Sequence, residues 1–300
     1  MRIGVDVGGT KLEAAAIDTQ GTTCVRRRVL TPKGDYAETI KAIFDLVSSI
    51  EQEIGVSHAL GFGIPGTISP ATGLVKNAYN SPFSGHPLDR DLAVRFDRPV
   101  RLMNDANCFA LSEAKDGAGA GYGIVFGAIL GTGCGSGITV NGELLTGANA
   151  ISGEWGHNPL PWPTTEELPD LECDCGNLNY IKTFHSGTGL ERQHAELTAD
   201  RITAKEIVTL AESGNAQAER SLALYEGRLA RALASIINVI DPNVIVLGDG
   251  LSNFEPLYEN VPKLWSQWVS SEQVDTQLLP PKFGDSSGVR GAVWLWAEGE

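Results

Sequence analysis

Two short stretches carry side chains that could handle a polyol. Gly153-Glu-Trp-Gly-His157 sets a carboxylate and an imidazole three residues apart, with Gly153 and Gly156 keeping the backbone open. Asn104-Asp105 sets an amide beside a second carboxylate. Several hydroxyls need acceptors and donors, and one carboxylate must be free to take a proton. Each stretch also has a plain structural reading: Asn-Asp as a turn or helix cap, Glu-x-x-His as a solvated helix face.

The elements that must position these groups are strand–glycine turn–strand units. Residues 2–18 run from a β-branched strand through Gly8-Gly9-Thr10-Lys11 into a returning apolar strand ending at Asp18. A glycine turn lets backbone amides approach a phosphate, although a plain β-hairpin fits the same pattern. The P-loop pattern is excluded, because no Gly-Lys-Ser/Thr helix opener follows. The unit recurs about 120 residues later: the strand Ile124–Leu130, the turn Gly131-Thr132-Gly133-Cys134-Gly-Ser-Gly137, and the strand Ile138–Val140. Two copies predict an internally duplicated α/β protein holding a nucleotide between two lobes. A third cluster, Gly248-Asp249-Gly250, follows the apolar strand Val244–Leu247. Before it, Leu222, Tyr225, Leu229, Leu233, Ile236 and Ile240 repeat at helical spacing, which predicts a long core helix stopped at Asp241-Pro242.

Composition narrows the function classes. With 300 residues, 42% hydrophobic and 20% charged, the chain can bury a core in one large or two smaller domains. A net charge of −14 argues against nucleic acid or an anionic membrane surface as partner, but not against ATP, which local amides and Mg²⁺ bind. The absence of a long apolar run and of a signal-peptide pattern, together with five cysteines in no disulfide framework, predicts a cytoplasmic protein.

Asp6-Val-Gly-Gly-Thr-Lys11, Leu102-Met-Asn-Asp-Ala-Asn-Cys108, Leu130-Gly-Thr-Gly-Cys-Gly-Ser-Gly137, Gly153-Glu-Trp-Gly-His157 and Asp241-Pro-Asn-Val-Ile-Val-Leu-Gly248 together resemble the ROK family (repressor, open reading frame, kinase). Gly63-Ile-Pro-Gly-Thr-Ile-Ser-Pro70, Gly156-His-Asn-Pro-Leu-Pro-Trp162 and Gly284-Asp-Ser-Ser-Gly-Val-Arg-Gly-Ala292 are similar to its bacterial fructokinase and mannokinase branch.

The resemblance implies a two-lobed, actin-like (ribonuclease-H-like) α/β fold around a cleft. It implies ATP with Mg²⁺ and phosphorylation of a free hexose, with fructose first and mannose or glucose next. By the same resemblance Asp105 is the general base, and Gly66, Thr67, Asn77, Asn104, Glu154 and His157 contact the sugar. Asp6, Gly8, Gly9, Thr10, Lys11, Gly131, Thr132, Gly133, Cys134, Gly248, Asp249 and Gly250 serve ATP, with Asp6 near Mg²⁺ through water.

Many family members also hold Zn²⁺ on the histidine and three cysteines, followed by a sugar-contacting glutamate. Here Cys173 and Cys175 match beside His157, but Tyr180 stands at the third cysteine and Lys182 at the glutamate. The expectation is that zinc is absent or weakly held, with residues 176–182 either remodelling the pocket or facing solvent. The family's repressors place a DNA-binding segment before the phosphate turn, and here that turn begins at Asp6. A sugar-binding protein without kinase activity, or a repressor-derived sugar sensor, is the alternative function. A small lobe is expected over 1–115, joined by a C-terminal helix within 288–300, and a large lobe over 116–287. Asp116–Gly123 is the expected hinge and 162–171 an exposed loop. A homodimer is compatible with all of this.

Overall fold

The computed structural model describes residues 1–57, 59–79, 81–284 and 287–297; part of the expected C-terminal helix, residues 298–300, lies outside them. The chain opens with the strands β1 (Arg2–Val7), β2 (Lys11–Ile17) and β3 (Thr23–Leu30), then α1 (Tyr36–Ile54) and β4 (Leu60–Ile64). A small ribbon, β5 (Thr67–Ile68) with β6 (Val75–Lys76), precedes α2 (Leu88–Phe96), β7 (Val100–Asn104) and α3 (Asp105–Lys115). The second half begins with β8 (Ile124–Leu130), β9 (Cys134–Val140) and β10 (Glu143–Leu144). The helices α4 (Ile181–His185), α5 (Gly187–Thr198), α6 (Ala204–Glu212) and α7 (Ala216–Ile240) follow. The chain ends in β11 (Val244–Gly248), α8 (Pro256–Trp265), β12 (Gln277–Leu279) and α9 (Ser287–Val293).

The duplication read from the glycine turns extends to the whole topology. One sheet has the order β3-β2-β1-β4-β7 and the other β10-β9-β8-β11-β12. In each, three antiparallel strands lead into two parallel additions. Each sheet builds its own core. Ile3, Val5, Leu12, Phe62 and Ile64 pack under α1, whose Ile43, Leu46, Val47 and Ile50 repeat at helical spacing. Phe126, Ala128, Leu130, Ile245 and Leu247 pack under α7, where Leu222, Tyr225, Leu229 and Leu233 form the buried stripe. The ends of α7 are set locally: Asn215 caps the start, accepting from the N–H groups of Gln217 and Ala218, and Asp241 turns left-handed (φ 45°) before Pro242.

The last helix of each half crosses to the other half's sheet. α3, which follows β7, packs on β8 and β9; α9, which follows β12, packs on β1 and β4. The two helices also pack against each other. Close approach depends on absent side chains: a Cβ on Gly61 would overlap the Ala292 carbonyl, and one on Gly291 the Cys108 carbonyl.

Two local expectations need correction. The final helix covers Ser287–Val293 and so stops early in the expected 288–300 stretch; Trp294 and Leu295 form a turn. The acidic loop 162–171 is not wholly solvated. Glu167 is buried (9% exposed), accepting from Arg231 at 2.6 and 2.8 Å, Arg228 at 2.9 Å and the Thr164 N–H at 2.9 Å. A carboxylate between two α7 arginines fastens the loop to the helix, which composition alone hides.

Candidate active site

Asp105 is the first residue of α3, immediately beyond the carboxyl end of β7. Asn104 is the N-cap, its Oδ1 accepting from Ala106 N (3.0 Å) and Asn107 N (3.3 Å), so the capping reading holds for that residue. Capping by the neighbour fixes Asp105 at a helix start that opens on the cleft. Its Oδ1 accepts from Ala106 N at 2.7 Å. Burial pushes its carboxyl up to about 6, against the opposing pull of the Ala106 N–H and the Asn104 amide.

A cavity of about 590 Å³ brings Asn104 and Asp105 together with Glu154 and His157. Gly8, Gly9, Thr10 and Lys11 from the first hairpin turn form one wall, and Thr132, Gly133 and Cys134 from the second form another. Gly66, Asn77, Asn104, Asp105, Glu154, His157 and Asp249 complete the predicted residues on its surface. Asn77 is left-handed (φ 59°), so it is a turn asparagine and a cavity residue at once. Thr67 is buried in the ribbon and lies off this wall.

Glu154 and His157 face each other across a 3₁₀ turn, Trp155–His157, with Nε2 3.8 Å from Oε2. They are neither on an α-helix face nor fully solvated. Between them Trp155 is buried and meets the Phe126 ring edge-on at 5.6 Å, which anchors the turn in the core. Gly153 (φ 92°) lets the turn lie directly on the Ser136 carbonyl of β9. Burial, then the charge of Asp105, pushes the Glu154 carboxyl up; burial, then Lys182, pushes the His157 imidazole down.

Asp6, a partly exposed position between the buried Val5 and Val7 of β1, is not among the residues that line the cavity; Gly63 and Gly288 pack beside its carboxylate. Burial, then Asp105 and Glu13, pushes its carboxyl up to about 7, and Asp249 adds to the same effect. Asp105 and Asp249 line the cavity and Asp6 repels both from behind its wall; such carboxylates are hard oxygen donors suited to Mg²⁺. Cys134 is a neutral thiol, its group pushed up to about 12 by burial.

Gly131 and Gly250 do not line this cavity. They line an adjoining one of about 570 Å³, which shares Thr132 and Asp249 with the first and continues over Gly187, Ala204, Lys205 and Val208. Gly248 lines neither cavity and is packed against the Phe109 ring. The sequence reading missed this second chamber, whose walls from α5 and α6 carry no motif. It also missed Tyr79, Ser81 and Asp174 on the first. The only signal for Tyr79 and Ser81 was their nearness to Asn77.

His157, Cys173 and Cys175 do meet, their donor atoms all within 4.8 Å of one another, with His157 Nδ1 3.7 Å from Cys173 Sγ. Three soft donors make a partial zinc set, and among the described residues no fourth His, Cys, Asp or Glu joins them. A closed four-donor structural site therefore does not fit. Tyr180 meets the His157 ring edge-on at 6.2 Å between centroids. Lys182 does not face solvent: it lines the cavity, paired with Asp174.

The comparisons agree with this arrangement over the whole chain. The ROK family model matches residues 2–299. An N-acetyl-D-glucosamine kinase of Haemophilus influenzae is 39% identical over 99% of both chains, and one of Vibrio cholerae 38% identical over 98% of this chain and 99% of its own. Among solved structures, the ROK hexokinase from Thermus thermophilus has a TM-score of 0.85 at 29% identity, covering 97% of this chain and 96% of its own. A ROK family glucokinase from Streptomyces griseus, solved with glucose and AMPPNP, has a TM-score of 0.83 at 29% identity, covering 98% of both. The paired sheets and crossed helices described above are thus the two-lobed, actin-like fold. No described helix is long and apolar enough to cross a membrane.

Proposed function

Because this chain belongs to the ROK family, we propose that it transfers the γ-phosphoryl group of ATP to a hydroxyl of a free hexose. Fructose is the first acceptor, with mannose or glucose next. The observation that carries this reading is the single cavity in which Asp105 lies between two glycine turns and the Glu154–His157 turn.

In this reading Asp105 accepts the proton of the attacking hydroxyl as its oxygen approaches phosphorus. Asn104 fixes that carboxylate through the helix cap, while Asn77, Glu154 and His157 hold the remaining hydroxyls. The backbone amides of Gly8–Lys11 and Gly131–Cys134 cradle phosphates, and the adjoining chamber takes the nucleoside. Mg²⁺, held near Asp6, would neutralise phosphate charge when bound. Lobes divided near residue 115, with the C-terminal helix on the first, would close over both substrates and exclude water. Zinc at His157, Cys173 and Cys175 is absent or weak in this reading.

The names of the relatives favour a second acceptor, N-acetyl-D-glucosamine. The unsubstituted hexose rests on the resemblance of Gly63–Pro70 and Gly156–Trp162 to the fructokinase and mannokinase branch. A coupled ADP-release assay with ATP and Mg²⁺ over fructose, mannose, glucose and N-acetyl-D-glucosamine separates them. The highest kcat/KM on fructose is expected. The highest value on N-acetyl-D-glucosamine would select the second reading, and no release with any sugar would sink the kinase.

A further inference from the structure

Lys182 is a cation on the sugar side of the cavity that the chemistry above leaves unused. It lies in the first turn of α4, and its stem passes close to Gly156 and Gly133: side chains added there would begin 3.6 Å from its Cβ and 4.0 Å from its Cε, respectively. Its side chain is 21% exposed, so the ammonium is held in the protein. Asp174 accepts one of its hydrogen bonds, and Nζ stands 5.7 Å from the centre of the Tyr79 ring. Asp174, Tyr79, Glu154 and His157 all share the cavity with it. An ammonium has three N–H donors, so two remain for a ligand.

The surrounding wall carries four carboxylates, Asp105, Glu154, Asp174 and Asp249, against one other cation, Lys11 on the first glycine turn. Such a wall would attract any sugar that carries a protonated amine. A fixed cation at the same wall reverses that preference locally, because like charges a few ångströms apart repel strongly where water is scarce.

We propose that Lys182, seated by Asp174, is a specificity-determining residue: it donates to an oxygen of the bound hexose and rejects hexosamines bearing a free, protonated amino group. The inference rests on the sugar-binding reading of this cavity. A charge-assisted hydrogen bond of this kind sets a scale of about tenfold in affinity.

The test compares wild type with Lys182→Met and Lys182→Arg, using fructose and glucosamine. Lys182→Met should raise the KM for fructose about tenfold while kcat and the KM for ATP stay within about twofold, as loss of uniform sugar binding requires. It should also raise the glucosamine-to-fructose ratio of kcat/KM about tenfold, whereas Lys182→Arg keeps the wild-type ratio. A merely structural lysine would lower Tm and raise both KM values with the ratio unmoved, and that result overturns the proposal. If wild type releases no ADP with any hexose, the kinase reading fails, and the same ratio is then read from calorimetric Kd values. An unchanged ratio there, or no binding of either sugar to wild type, overturns the proposal as well.

Discussion

The Asp249 carboxylate occupies the space a side chain on Gly131 would need: a Cβ at that glycine would overlap Oδ2. Asp249 is itself held in an unusual backbone conformation (φ 67°, ψ −171°), with its Oδ1 accepting from Gly250 N at 2.9 Å. The third glycine cluster is therefore locked against the second hairpin turn, where the two chambers meet.

That contact separates two kinds of glycine. A Cβ on Gly9 meets nothing within 4 Å, and one on Gly133 meets only the Lys182 stem at 4.0 Å. Gly9→Val and Gly133→Val should fold with a Tm near wild type and yet weaken ATP binding strongly, because the added side chains fill the space the phosphates approach. Sugar affinity without nucleotide should change little for Gly9→Val, whose added side chain meets nothing within 4 Å. Gly131→Val should instead lower Tm as well. Calorimetric ATP titrations and thermal melts check all three; wild-type ATP affinity in the first two variants would refute the phosphate-turn assignment.

Asp105→Asn should cut kcat by ~10²–10⁴-fold, the usual effect of losing a general base. The amide keeps the size of the side chain at the start of α3, so calorimetric sugar binding should be largely retained. Near-normal turnover would mean that another group takes the proton.

The same residue sets a pH limb. Only the ionised carboxylate can accept a proton, and Asp105 is pushed up to about 6 by burial. kcat should therefore fall as pH drops through about 6, and level off above it. Bound Mg²⁺ near Asp6 would favour ionised carboxylates and shift the limb lower. A rate profile flat down to pH 4.5 would contradict the assignment.

Metal analysis of protein purified without chelator should find less than one zinc per chain after dialysis. His157, Cys173 and Cys175 supply three donors, and structural zinc sites are almost always closed by four. One retained equivalent would contradict this.

Stability should carry the signature of Glu167. Burial raises its carboxyl, but the Arg231 guanidinium, the Thr164 N–H and Arg228 outweigh it and bring it down to about 2. A depressed carboxyl contributes stability that is present above its unfolded value near 4.5 and is lost as pH falls toward 2. Glu167→Gln should destabilise the protein at pH 7, by about 3 kcal/mol on the scale for breaking a buried pair, and flatten the acid slope. Denaturant melts across pH 2.5–7 measure both.

The fold was legible where glycines follow β-branched runs, because a strand that must turn sharply leaves few residue choices. The two hairpins and the long α7 stripe belong to that class. Directions of side chains were not legible. Lys182 could have faced outward from its spacing alone; it pairs with Asp174 from the start of α4, just after Tyr180, which bridges to Pro159. Tyr79 and Ser81 reach the cavity through the turn at Asn77, which the sequence marks only as a turn. The second chamber is assembled by α5 and α6 around Lys205 and Val208, ordinary helix residues whose position comes from packing. Gly61 and Gly291 carried no chemical signal, and only the crossing of helices explains them.

That crossing has a consequence for how the chain is made. Synthesis delivers β1, β2, β3, β4 and β7 by residue 104, and one face of that sheet stays uncovered until Ser287–Val293 emerges almost 200 residues later. The helix α3, which starts at Asp105, is likewise translated before β8 and β9, the strands it packs on. On the ribosome, the first half is a sheet awaiting its lid, and Asp105 acquires a fixed position only once the second half has been built.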